Sequence, residues 1–186
     1  MQIKQIFRGL FLGGIASLQL LISLECLAKE IKVLALGDSL IAGYGLAENQ
    51  HFTTQLQKTL KNEGYNVSLI NAGVSGDTSA GGLTRLDWSL ASGPDAVILE
   101  LGANDGLRGI SPSTTKRNLE RILDQLRVKE IPVLFAGMLA PPNLGREYGS
   151  EFNKTYEKKL SKLQKKLVSM QEWVIQEGKK IVVIFE

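Results

Sequence analysis

Histidine and cysteine each occur once in this chain, as His51 and Cys26. A single cysteine excludes a disulfide framework within the chain. The carboxylates of the glycine-rich segments have no histidine or cysteine beside them, so neither a metal nor a cofactor is expected. Net charge is also small. A formal net charge of +3, with no basic stretch that interleaves aromatics, excludes nucleic acid as the expected partner. There is no internal repeat and no low-complexity linker. The scarcity of histidine has the largest consequence, because a serine hydroxyl is a poor nucleophile at neutral pH without an adjacent base.

What is present begins with an export-like segment. Lys4 and Arg8 form a positive start, Gly9 to Leu24 is uncharged and mostly apolar, and Cys26-Leu27-Ala28 offers small residues for cleavage before Lys29. The apolar run is shorter than the roughly 20 residues a membrane span prefers. Residues 1–28 are therefore expected to be a signal peptide, with a periplasmic or secreted mature chain and no stable membrane insertion after cleavage. Removing them would leave no cysteine at all. Glu25 weakens both this reading and its alternative, an uncleaved membrane anchor, and makes Cys26 a poor candidate for a lipidated first residue.

The remainder, 29–186, is one domain's worth of chain, with 44% apolar and 22% charged residues overall. From residue 31, short apolar runs alternate with longer amphipathic ones, which predicts a mainly parallel sheet covered on both faces: a three-layer α/β/α sandwich. Strands are expected at Ile31–Leu36, Val67–Ile70, Ala96–Leu101 and Pro132–Ala136. Helices are expected over about 48–62, through Leu83, Leu86 and Leu90, and from Pro112 to about Lys129. A glycine-rich turn is expected over Asn71–Asp77.

Beyond about residue 150 the pattern fits this architecture less well. Phe152, Tyr156, Leu160, Leu163, Leu167, Met170 and Val174 recur at helical spacing. A helix carried to Gln176 would be roughly 38 Å long, against about 20 Å for a strand of ordinary length. It must break, near Val168–Ser169, or project. Lys180–Phe185 then reads as a last strand, and a coiled-coil-like partner helix is the alternative.

Ligand sites in open α/β sheets form outside the carboxyl ends of the strands. Three such ends carry polar, glycine-rich segments: Gly37-Asp38-Ser39-Leu40, Gly73-Val74-Ser75-Gly76-Asp77-Thr78 and Gly102-Ala103-Asn104-Asp105. Backbone N–H groups, a side-chain amide and an exposed serine at one rim suit acyl transfer. Plain tight turns suit the same residues. Ser39 also reads as a helix cap, Asn104 as a turn former and Asp105 as the cap of the next loop. Asp77 reads as structural, since nothing cationic near it in sequence needs a partner. No phosphate-binding GxxxxGK and no GxSxG elbow occurs.

Those segments, with Ala42-Gly43-Tyr44-Gly45 and Gly106, resemble the SGNH or GDSL hydrolases, in particular the periplasmic arylesterase, thioesterase and lysophospholipase L1 branch. The resemblance covers about residues 31–156 and three of the family's four functional blocks. It implies a flavodoxin-like SGNH hydrolase fold and a serine ester hydrolase acting on a small acyl ester, thioester or lysophospholipid. Ser39 resembles the nucleophile. Its own N–H and that of Gly76 resemble two oxyanion donors, and the Asn104 side chain the third. Asp38 resembles the neighbour that orders the first loop, and Leu107–Ile110 a mobile segment over the substrate. The fourth block, Asp-x-x-His, has no counterpart here, so the chain is expected to be truncated or altered after about residue 156. His51, twelve residues beyond Ser39 near the start of a crossover helix, does not fill the place of the base. Impaired activity is the expectation, and a non-catalytic acyl- or carboxylate-binding remnant, or an inactive fragment, is the alternative.

Overall fold

The computed structural model describes residues 29–140 and 142–156. Four strands form one parallel sheet in the order β2-β1-β3-β4. They are β1 (Ile31–Gly37), β2 (Val67–Gly73), β3 (Ala96–Glu100) and β4 (Val133–Phe135). Their apolar runs have the composition of strands buried on both faces, and period-two alternation sends successive residues to opposite sides.

On one side Leu34, Leu36, Val97, Leu99 and Leu101 pack with Leu119, Ile122 and Leu126 of the helix Pro112–Val128. Phe152 and Tyr156, from a helix over 146–156, complete this layer. Phe135 stacks on Tyr156 with ring centroids 5.5 Å apart. On the other side Ala35 and Ile98 pack with Ile41, and Leu56 of the helix Phe52–Asn62 lies against them. The expected three layers are present among the described residues. The export segment at 1–28, the helix beyond Tyr156 and the strand at Lys180–Phe185 lie outside them. Among the described residues no helix is long and apolar enough to cross a membrane, and no cluster of histidine, cysteine and carboxylates has the makings of a metal site.

Several boundaries differ from the sequence expectation, each for a local reason. β2 continues through Asn71–Gly73, which was expected to turn, because those residues keep register opposite Ala35, Leu36 and Gly37. The Asn71 side chain supports the extension: its amide donates to Ile41 O at 2.8 Å and its oxygen accepts from Gly73 N at 2.9 Å. The helix expected from residue 48 begins at Phe52, after a separate 3-10 turn at Glu48–Gln50. His51 joins the two in an extended conformation. The segment through Leu83, Leu86 and Leu90 is two short helices, Ser79–Thr84 and Leu86–Ser89, followed by a 3-10 turn. β4 is confined to Val133–Phe135, inside the longer strand expected.

Candidate active site

At the carboxyl end of β1 the chain turns directly into a four-residue helix, Ser39–Ala42, capped by Asp38, whose carboxylate accepts from Leu40 N at 3.1 Å. A carboxylate suits this position because the first N–H groups of a helix have no partner within it. The cap is therefore Asp38, not Ser39. Ser39 is the first residue of the helix and half-buried.

The second segment closes against the first. Val74 N donates to Gly37 O at 3.0 Å, and a turn with Asp77 N bonded to Val74 O brings Gly76 round in a left-handed conformation, φ 80°. Gly76 O is held by Arg108 at 2.8 Å. Asp77 is tied to Arg85 by an ion pair of 2.7 Å, and the same guanidinium donates to Gly37 O at 3.0 Å and Ser89 Oγ at 3.3 Å. The sequence reading that found no cation for Asp77 is thus corrected: Arg85, one helix further on, is its partner.

Asn104 joins all three segments. It lies in the short helix Ala103–Leu107, and its amide nitrogen donates to Asp38 Oδ2 at 3.1 Å and to Asp77 O at 2.9 Å. One acceptor immediately precedes Ser39 and the other immediately follows Gly76, so the three expected site residues stand at a single junction. Among the described residues, neither Ser39 N nor Gly76 N has a hydrogen-bond acceptor, and nothing accepts from Ser39 Oγ. Two backbone donors are free for an incoming oxygen. Both amide hydrogens of Asn104 are engaged, so an oxygen binding there must share or replace one of those bonds.

Asp105 is more than a loop cap. It is buried and accepts from Ser79 N at 2.7 Å, from Ser79 Oγ and from Thr115 Oγ1 at 3.1 Å, while Asn118 donates to Ser79 Oγ at 3.0 Å. This network fixes the start of Ser79–Thr84 against Pro112–Val128. The segment Leu107–Ile110 is held at both ends, by Arg108 on Gly76 O and by Tyr148, which donates to Ile110 O at 2.7 Å. Burial raises the Tyr148 hydroxyl above its ordinary range. Leu107 itself is largely exposed.

Sequence reading missed Glu100. It ends β3, opposite Gly37 in register, and is buried. Its Oε2 stands 3.4 Å from Asp38 N, while Oε1 has no partner among the described residues. Burial first, and the neighbouring Asp38 carboxylate second, push its carboxyl up to about 7. The available signal was a glutamate closing an otherwise apolar strand, since an acidic residue is rarely buried without a purpose.

His51 is committed elsewhere. Its imidazole lies over Gly43, where an added Cβ would come within 2.2 Å of Cδ2, and its Nε2 is 3.3 Å from Leu46 O.

Comparison with known proteins agrees with this fold. Residues 35–181 match the GDSL-like Lipase/Acylhydrolase family. The chain is 42% identical over 150 residues to Esterase TesA of Pseudomonas aeruginosa, covering 80% of this chain and 73% of that protein. It is 38% identical over 127 residues to thioesterase 1/protease 1/lysophospholipase L1 of Escherichia coli K12, covering 68% and 60% respectively. Among solved structures it is similar to AlinE4, an SGNH-hydrolase family esterase, with a TM-score of 0.70, 45% identity, and 73% and 74% of the two chains covered. With the fold and this breadth of match together, the chain belongs to the GDSL-like lipase/acylhydrolase family and is, by family, a carboxylic ester hydrolase.

Proposed function

We propose that the chain is an exported serine ester hydrolase in which Ser39 is the nucleophile. Ser39 Oγ attacks the carbonyl carbon of a small acyl ester, thioester or lysophospholipid. A C–O bond forms, the hydroxyl proton passes to water, and charge gathers on the carbonyl oxygen. Collapse expels the alcohol or thiol, which takes up a proton, and water then releases the acid from Ser39. Ser39 N–H, Gly76 N–H and the Asn104 amide meet the developing oxyanion, each donor being worth about 3 kcal/mol of barrier. The observation that carries this reading is the Asn104 junction, which brings Asp38 and Asp77 together, with the Ser39 and Gly76 N–H groups lacking acceptors among the described residues. Leu40, Val74 and Leu107, exposed on the same three segments, supply apolar surface for the acyl part.

Turnover by these 186 residues is slow in this reading. A base acts within about 2.6–3.2 Å of the hydroxyl, directly or through one water. The chain's one histidine is packed on Gly43 and Leu46. A serine hydrolase stripped of its triad still retains roughly 10³ to 10⁴-fold acceleration. Feeble hydrolysis of an activated aryl ester and slow labelling of Ser39 by a fluorophosphonate are therefore expected. Robust turnover that vanishes in Ser39→Ala would refute the impairment and keep the nucleophile. Labelling that survives Ser39→Ala would refute the nucleophile.

That no acceptor meets Ser39 Oγ among the described residues also favours a second reading, an acyl- or carboxylate-binding remnant. Calorimetric binding of a medium-chain fatty acid with no hydrolysis of its ester would support it. Export is checked by cell fractionation, with loss of residues 1–28 from the mature mass as the expected result.

A further inference from the structure

We infer that Glu100 is a positioning residue for the nucleophile turn: its neutral carboxyl, wedged behind Gly37 and Asp38, keeps the Asp38 carboxylate locked on Leu40 N and Asn104, and its ionisation loosens that lock. The catalytic consequence rests on Ser39 being the nucleophile, whereas the coupling of Glu100 to the turn does not.

The space is built around this side chain. A Cβ at Gly37 would come within 2.9 Å of Glu100 Oε2 and 2.7 Å of Glu100 O, so only glycine lets the end of β1 lie against it. Oε2 faces Asp38 N at 3.4 Å, and Oε1 is buried with no partner among the described residues. A buried carboxyl with another carboxylate as its neighbour keeps its proton in preference to adding a second charge. Asp38 has clear uses for its own charge, accepting from Leu40 N at 3.1 Å and Asn104 Nδ2 at 3.1 Å. Glu100, buried and raised to about 7, is the partner that keeps the proton.

The charged and titratable groups around Glu100 do not replace this pairing. Asp38 faces it from the nucleophile turn. Arg85, from beyond Ser79–Thr84, is already bonded to Asp77 and Gly37 O. Tyr156, from the helix over 146–156, donates to Leu101 O, and its hydroxyl is raised by burial and then by the charges of Asp105, Glu100, its neighbour Tyr148 and Asp38. No cation among these stands on the Glu100 carboxyl, so ionisation places a second negative charge directly behind Asp38. The displaced group is the cap of the helix whose first residue is Ser39.

The sign follows from linkage. Glu100 is raised in the folded chain from 4.5 to about 7. Stability is highest below the unfolded value, falls as pH rises between the two, and levels off above the folded one.

The test uses the full chain and Glu100→Gln, which keeps the shape and removes the titration. NMR between pH 5 and 9 follows the backbone amides of Asp38 and Ser39 and the side-chain amide of Asn104. In the wild type all three move with one midpoint near 7, and in Glu100→Gln they stay flat. Melting temperature falls from pH 4.5 to 7 in the wild type and not in the variant. Flat resonances in the wild type, or the same midpoint in Glu100→Gln, overturn the inference. Asp38→Asn gives an independent check: without the neighbouring charge, the carboxyl carbon of Glu100 titrates at a lower pH, and an unchanged midpoint counts against the pair. The wild-type to Glu100→Gln ratio of fluorophosphonate labelling at Ser39 falls several-fold between pH 6 and 8.5, and a constant ratio sinks the positioning role. If neither protein labels, the nucleophile assignment fails while the NMR result still decides whether Glu100 controls the turn.

Discussion

Asn104 and Asp38, 66 positions apart in sequence, are joined by a 3.1 Å hydrogen bond from amide to carboxylate. The same amide reaches Asp77 O at 2.9 Å. Asn104→Ala therefore removes the junction between the Ser39 turn and the Gly76 loop as well as a proposed oxyanion donor. Denaturant unfolding is expected to show a loss of about 2–3 kcal/mol, since one of the two bonds is to a charged group. Fluorophosphonate labelling of Ser39 should slow by a further factor that corresponds to about 3 kcal/mol of barrier. Unchanged labelling in a destabilised but folded variant would leave Asn104 only its bridging role.

Asp105 acts at one remove from that junction. Its carboxylate accepts three donors from two elements: Ser79 N, Ser79 Oγ and Thr115 Oγ1. Asp105→Asn turns half of the acceptor into an NH₂ group facing donors, at a buried position. A stability loss of about 3 kcal/mol is expected, because hydrogen bonds to charged groups are lost and donors are left unpaired. Combining it with Ser79→Ala should cost less than the sum, as the hydroxyl donor is then gone. Strict additivity in urea unfolding would show that the two do not share a network.

The strands were legible because parallel strands buried on both faces read as short apolar runs, and Leu34 to Leu36 and Val97 to Leu101 are such runs. The meeting of the segments that carry Ser39, Gly76 and Asn104 was legible because glycine, serine and asparagine interrupt those runs where strands end. Boundaries were less so. Asn71 carries turn chemistry by residue type, yet its side-chain bonds to Ile41 O and Gly73 N extend β2 past it. Partnerships across the chain had no signal at all. The bond from Arg85 to Gly37 O spans 48 positions, and the contact of Asp38 with Glu100 spans 62. Both depend on which strand ends lie side by side, which local periodicity does not carry.

Arg85 gives a prediction of that hidden kind. It holds Asp77, Gly37 O and Ser89 Oγ with separate nitrogens, and both members of the ion pair are mostly shielded from water, at 17% and 12% side-chain exposure. Arg85→Met should cost about 3 kcal/mol, most of it from leaving the Asp77 carboxylate without its partner. Arg85→Lys should recover little, because one ammonium does not reproduce a planar fork with three acceptors. Restoration of full stability by lysine, measured in guanidinium, would reduce the arrangement to a point-charge pair.

Gly102 and Tyr156 offer a test of how the third segment is shaped. Gly102 has φ 124°, and a Cβ there would stand 1.9 Å from the Tyr156 hydroxyl, which donates to Leu101 O at 3.0 Å. Gly102→Ala therefore combines backbone strain of about 1–3 kcal/mol with displacement of a buried ring that stacks on Phe135. Tyr156→Phe alone should cost about 1 kcal/mol for the lost hydrogen bond. In the double variant the hydroxyl that meets the new methyl is absent, so the total loss should fall short of the sum of the single losses. The backbone part of the penalty should persist, leaving the double variant less stable than Tyr156→Phe. A double variant as stable as Tyr156→Phe would mean that φ at residue 102 relaxes freely. Simple additivity would mean that the new methyl and the Tyr156 hydroxyl do not meet, the backbone at residue 102 having shifted instead.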